Sequence, residues 1–155
     1  MDVRDTVLLA NAESIAVEAS MVAYEGVVIA AERDAGSLRT MEENASKFGT
    51  HNIEIIPEIT VEALEKLPTP RLAFIVAQKS TIENDIVTLL KVNPKIKFII
   101  YTLELDILAD IKYLMKKHGV DVTEVMQIAV SKVDKNGVFV AQPAPWMITC
   151  EVKEK

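Results

Sequence analysis

One cysteine, Cys150, is the only thiol in the 155 residues. The chain can therefore close no internal disulfide and build no cysteine-rich metal site. Half of the residues are apolar, yet no uninterrupted run approaches the roughly 20 that span a bilayer. The N-terminus, Met1-Asp2-Val3-Arg4-Asp5, carries acids where a secretion signal carries bases. These absences predict a soluble, cytoplasmic protein with no membrane partner. Positive charge is also scarce: 17 Lys and Arg against 23 Asp and Glu leave a formal charge of -6. A nucleic-acid groove needs a clustered excess of cations to displace counterions from phosphates. The one local concentration, Lys91, Lys95 and Lys97, reads as a solvated loop. Only five glycines occur, and none falls between Leu9 and Ser14, where the first predicted strand turns.

What is present is a repeating pattern of short apolar runs and helix-period stretches. Val7 to Leu9 gives way to Ile15, Ala16, Ala19, Val22 and Ala23 at helical spacing, then to Glu25-Gly26 and a second run, Val27 to Ala31. Strands joined through a helix are parallel neighbours, and strands covered on both faces read as continuous rather than alternating. Three further units follow. The third and fourth strands are predicted at Ile53 to Ile56 and Leu72 to Ala77, and the fifth at Phe98 to Tyr101. The helices between them centre on Met41, on Thr60 to Leu67 with Thr60 as cap, and on Ile82 to Leu90 with Ser80 or Thr81 as cap. A last helix runs from Leu105 to His118 and stops at Gly119. Asp121 to Val133 then alternates, Lys135-Asn136-Gly137 makes a hairpin turn, and Val138 to Ala141 and Trp146 to Val152 run back.

The expected architecture is a single α/β domain over residues 1–155. It is an open, mostly parallel seven-stranded sheet flanked by helices and ending in an antiparallel hairpin. A domain of this size buries roughly 70% of its unfolded surface and can fold alone. Ligands of such sheets bind outside the carboxyl ends of the strands. That edge offers Asn11, Glu13, Glu32, Glu58, Gln78, Lys79, Thr102 and Glu104. Glu32 ends the second strand about twenty residues after the first turn, where nucleotide-binding folds place a carboxylate for a ribose diol. A strand-end acid paired with a nearby base is the equal alternative. Cys150 lies in an alternating strand and reads as a buried structural thiol.

Local strings carry a more specific resemblance. Ser14-Ile-Ala-Val-Glu-Ala19, Ala31-Glu-Arg-Asp34, Glu43-Asn44, Phe48-Gly49, Asn52-Ile53, Glu62-Ala-Leu64, Leu67-Pro68, Thr102-Leu-Glu104 and Pro145-Trp-Met-Ile148 run in order over essentially the whole chain. Together they resemble the decarboxylating, C15-methylating precorrin methyltransferases of cobalamin biosynthesis, which have the Rossmann-like class I methyltransferase fold. The resemblance implies S-adenosylmethionine as cofactor, held by Leu9, Asn11, Glu13, Glu32 and Glu58. It also implies a tetrapyrrole substrate, with Gln78, Lys79, Thr102 and Lys132 as candidate contacts. Members carry an N-terminal strand and helix ahead of the first strand, whereas this sequence starts almost at that strand.

The sequence departs from the family at its binding loops. Leu9, Asn11 and Glu13 stand where the first loop has its three glycines, Val76-Ala-Gln-Lys-Ser80 replaces a second glycine cluster, and Ser131-Lys132 replaces a Gly-Arg pair. Glycines let the backbone approach a ligand and take positive φ. A carboxylate ~4 Å from the cofactor's own would cost about 4 kcal/mol at an effective dielectric of ~20. That is half of the ~8 kcal/mol that micromolar binding supplies. The expectation is a cofactor cradle that is degraded and an activity that falls with it. A second reading is a non-catalytic interaction or regulatory subunit, pairing with itself or with a competent homologue through Trp146 or the hairpin edge. A dinucleotide-binding domain is a third, disfavoured by the same missing glycines.

Overall fold

The computed structural model describes residues 4–11, 26–32, 34–48, 52–129, 131–141 and 144–153. The helix predicted between the first two strands, and with it Glu13, lies outside the described residues.

Five apolar strands form the parallel part of the sheet: β1 (Thr6–Ala10), β2 (Val27–Ala31), β3 (Ile53–Ile56), β4 (Leu72–Val76) and β5 (Lys97–Thr102). The helices are α1 (Ala35–Phe48), α2 (Val61–Glu65), α3 (Ile82–Val92) and α4 (Leu105–Lys117). After them come β6 (Val120–Gln127), β7 (Ser131–Val133), β8 (Phe139–Ala141) and β9 (Trp146–Val152). The seven-stranded sheet has the order β3-β2-β1-β4-β5-β9-β6, with β9 inserted antiparallel between β5 and β6. The open, mostly parallel sheet with its reversed strand is the architecture expected from the sequence.

Side-chain alternation divides the core between the two faces. Leu8, Ala10, Ile29, Ile75, Phe98 and Ile100 point to one face, where Leu64 of α2, Ile86 and Leu89 of α3 and Ile111 and Met115 of α4 cover them. Val7, Leu9, Val28 and Ala30 point to the other and meet Met41 of α1. Each fully buried Leu, Ile or Phe contributes about 1.5–3 kcal/mol, so runs with no polar residue are what a two-sided sheet requires. Cys150 is fully buried in the first cluster, and burial pushes its thiol up to about 12.

Local chemistry sets the element ends. Thr60 caps α2, its hydroxyl accepting from the Ala63 N–H at 3.2 Å. Thr81 is the N-cap of α3 without a side-chain capping bond. Asp34 precedes α1 and its carboxylate accepts from the Ser37 N–H at 2.8 Å, which holds its pKa below the ordinary value. Gly119, at φ +77, ends α4 in the left-handed region. A Cβ at Gly26 would collide with the Asp5 carbonyl oxygen, so the entry to β2 passes too close to β1 for any side chain.

The C-terminal part differs from the expectation in one respect. The alternating run from Asp121 to Val133 is not one strand: β6 stops at Gln127, and β7 pairs with β8 in a separate two-stranded sheet. The Lys135-Asn136-Gly137 turn closes that small ribbon, with the Asp134 carboxylate accepting from the N–H groups of Asn136 and Val138, both at 2.9 Å. Period-two alternation specifies a strand but not its partner. Among the described residues no helix is long and apolar enough to cross a membrane.

Candidate functional site

The strand order reverses direction between β1 and β4, and a cleft opens there at the carboxyl edge. It is lined by Ala10 and Asn11 from the end of β1, Ala31 from β2, Pro57, Glu58 and Ile59 after β3, and Gln78, Thr81 and Asp85 at the start of α3. The cleft is small and open to solvent, about 310 Å³ counting its mouth. The alanines leave the floor without bulk, and Ile59, buried, supplies an apolar wall.

Asn11 joins the strands that meet at this point. Its N–H donates to the Ala31 carbonyl at 3.1 Å and its side-chain amide donates to the Val76 carbonyl at 3.3 Å. Its φ is +58, the only positive value at a non-glycine among the described residues. Asn enters the left-handed region more readily than other side chains. The chain thus makes, without glycine, a turn that a glycine would otherwise make. Leu9, also at an expected glycine position, does not stand in the cleft. It is 2% exposed and packs on the opposite face with Val7, Val28 and Met41.

The remaining residues singled out from the sequence fall in several places. Glu58 and Gln78 line the cleft beside Asn11. Glu32 is buried at the end of β2, and its carboxylate accepts from the Asp34 N–H at 3.0 Å. Lys79 lines a different groove, about 250 Å³ between α3 and α4, together with Ile82, Ile107 and Tyr113. Across that groove's end Glu83 is 3.1 Å from Lys117 and 3.4 Å from His118, and both hold its pKa below the ordinary value. Thr102 is buried, its hydroxyl accepting from the Glu104 N–H at 2.9 Å at the entry to α4. Lys132 is exposed on β7 in the separate ribbon. The structure therefore brings Asn11, Glu58 and Gln78 together and leaves Leu9, Lys79, Thr102 and Lys132 outside the cleft.

Two polar residues of the cleft were not among the site candidates from the sequence: Thr81, read there only as a helix cap, and Asp85. Asp85 is only 7% exposed. Its signal was visible: in Ile82-Glu-Asn-Asp85-Ile86-Val-Thr-Leu89 the carboxylate sits on the apolar stripe, three residues after Ile82 and four before Leu89. A charged residue on a buried helix face is the exception that marks a site. Among the described residues no group of three His, Cys, Asp or Glu is placed to hold a metal ion.

Five parallel strands in this order, with a reversed strand beside the last, define a Rossmann-like methyltransferase fold. A family model described as a precorrin methyltransferase domain matches residues 8–152, and the chain belongs to that family. Solved structures share its fold. The precorrin-6y C5,15-methyltransferase of Geobacter metallireducens GS-15 is 24% identical, with a TM-score of 0.85 over 99% of this chain and 82% of that one. The precorrin 8W decarboxylase of Methanobacterium thermoautotrophicum is 18% identical, with a TM-score of 0.76 over 96% of this chain and 82% of that one. The C-terminal domain of the Rhodobacter capsulatus precorrin-6Y C5,15-methyltransferase is 16% identical, with a TM-score of 0.71 over 96% and 80%. No curated protein matches the chain in sequence.

Proposed function

We infer that this precorrin methyltransferase-like domain binds S-adenosylmethionine at the β1–β4 cleft. The supporting observation is Asn11, which keeps a left-handed turn at the end of β1 beside the small residues Ala10 and Ala31. The described residues fit the nucleoside part of that cofactor: a floor without bulky side chains, an apolar wall at Ile59, and polar groups from Gln78, Thr81 and Asp85. Glu32, which follows the neighbouring strand, is the residue this reading gives to the ribose. When bound, the cofactor supplies an electrophilic methyl group on a sulfonium. The protein's task is to hold donor and acceptor in line, because such a transfer needs little acid–base assistance.

The acceptor in this reading is a carboxylate-bearing tetrapyrrole, and the reading assigns slow turnover toward it. The cleft presents two carboxylates, Glu58 and Asp85, and no lysine or arginine among its described lining. Polyanionic substrates bind poorly where the field has their own sign. Saturable binding of S-adenosylhomocysteine, seen as a thermal shift that grows with ligand concentration, tests the cofactor assignment. No shift at millimolar ligand would contradict it.

A separate observation favours self-association. β6 is an edge strand, and Val125, Met126 and Ile128 on and after it are exposed, as are Val133, Val138, Phe139 and Val140 of the ribbon. Two strands alone are marginally stable in water, and exposed apolar residues along an open strand edge suit pairing with another chain. The occupant in this reading is a second copy of the chain, pairing along the open edge of β6.

A further inference from the structure

We propose that Asn136 is a site of spontaneous covalent modification: its side chain closes on the Gly137 nitrogen to a succinimide, which opens to isoaspartate and loosens the β7–β8 ribbon. The asparagines of the chain differ in what their amide carbon can meet. Asn93 precedes Pro94, whose nitrogen has no proton to lose. Both polar atoms of its amide are also engaged, with the Pro70 carbonyl at 3.0 Å and the Lys95 N–H at 3.0 Å. Asn84 precedes Asp85 in α3, where the Asp85 N–H is spent on the Thr81 carbonyl at 2.9 Å. Asn11 gives its amide to the Val76 carbonyl, Asn44 lies inside α1, and Asn52 leads into β3 through the β-branched Ile53. Only Asn136 is followed by glycine. It is exposed, and its side-chain amide makes no hydrogen bond among the described residues.

The turn leaves the attacking nitrogen accessible. Gly137 stands at φ +76, which glycine adopts freely, and has no Cβ to shield its nitrogen. That nitrogen loses its proton to hydroxide and bonds to Cγ of Asn136, while the Cγ–Nδ2 bond breaks and Nδ2 leaves as ammonia with a proton from water. Water then opens the cyclic imide. Cleavage between Cγ and nitrogen gives aspartate, and cleavage between the main-chain carbonyl carbon and nitrogen gives isoaspartate, whose backbone runs through the former side chain and is one methylene longer. Nothing is oxidised or reduced. Before the attack the Gly137 N–H must leave the Asp134 carbonyl, to which it donates at 3.0 Å. The ribbon has three residues in each strand and stands apart from the main sheet. A two-stranded hairpin is marginally stable, so this opening costs little. The product sets a new carboxylate beside that of Asp134, which holds the turn through the Asn136 and Val138 N–H groups. Repulsion between the two carboxylates and the longer backbone both work against that turn, and with it against the pairing of Val133 with Phe139.

Peptide mapping by mass spectrometry, after the full chain has been kept at pH 8 either native or in urea, tests this. Aspartate and isoaspartate are expected to replace Asn136 ahead of every other asparagine, and more slowly at pH 6. The native rate is expected to lie within about 10-fold of the rate in urea, because only the ribbon must open. A larger gap, or earlier modification of another asparagine, would overturn the assignment. Asn136→Gln, whose longer side chain must close a larger ring, should stay unmodified over the same period; conversion as fast as in the wild type would overturn the mechanism. Hydrogen exchange then reads the consequence. Amides of Val133 and of Val138 to Ala141 should exchange about 10-fold faster in the isoaspartate form, with β1 to β5 unchanged. Equal exchange in the two forms would overturn the effect on the ribbon.

Discussion

Replacing Asn11 isolates the turn that stands in for a glycine. Asn11 holds φ +58 and spends its side-chain amide on the Val76 carbonyl. Asn11→Ala loses that bond, worth about 0.5–1.5 kcal/mol net, and adds whatever share of the left-handed cost Asn escapes and Ala does not, at most the about 1–2 kcal/mol of a Cβ in that region. The sum, about 0.5–3.5 kcal/mol, can be a sizeable part of the ~5–15 kcal/mol that stabilises a typical domain. Asn11→Gly loses the same bond but accepts the backbone conformation freely, adding only the extra unfolded-state entropy of glycine, about 0.5–1 kcal/mol. Urea unfolding should rank the proteins wild type, Gly, Ala, with the last two separated by about 0.5–1 kcal/mol and no change in m-value. The Ala variant should melt about 1–14 °C below wild type. An Ala variant as stable as the Gly variant, or more so, would refute the argument that residue 11 is chosen for its backbone.

Gly26→Ala should be far worse than an ordinary surface change, because the new Cβ meets backbone, the Asp5 carbonyl, and not a movable side chain. A loss of about 3 kcal/mol or more is expected, and a near-wild-type melting curve would contradict the close approach of β1 and β2. Cys150, its thiol pushed up to about 12 by burial, should resist iodoacetamide at pH 8 until denaturant is added; rapid labelling of the folded chain would contradict its burial. The same shift sets a pH dependence. Below pH 9 the thiol is neutral folded and unfolded and costs nothing; between pH 9 and about 12 the unfolded thiol ionises first, so stability should fall by about 1.4 kcal/mol per pH unit from this group. Cys150→Ala should remove that contribution to the slope. Phe139, 77% exposed, and Val125 belong to the proposed contact surface; Val125→Lys with Phe139→Ser should reduce the mass seen by sedimentation, and an unchanged monomer in both proteins would refute self-association.

The parallel strands were legible because strands covered on both faces read as mostly apolar runs, interrupted inside β3 by Glu54 on the sheet's edge strand, and each run ended on a turn or cap of recognisable chemistry. The binding edge was less so. Leu9 occupies a glycine position in the family pattern, but β1 continues through Ala10. Alternation then sends Leu9 to the face of Met41, away from the cleft. Counting from a motif gave the position without the direction. Lys79 and Gln78 are neighbours in sequence and part company because the chain turns into α3 between them and Ile82. Asp85 was missed because acids near a helix start are ordinarily read as favourable dipole partners. Only its phase relative to Ile82 and Leu89 distinguishes it. The β7–β8 ribbon was hidden for a different reason, since alternation is the same whichever strand is the neighbour.

The central claim is that the turn at Asn11 still shapes a nucleoside site. A crystal structure of the protein with S-adenosylhomocysteine tests it most directly. The account predicts the adenine edge between Ala10, Ala31 and Ile59, with the ribose toward Glu32. Ligand seated elsewhere, or a cleft filled by its own side chains while ligand is in excess, would contradict it.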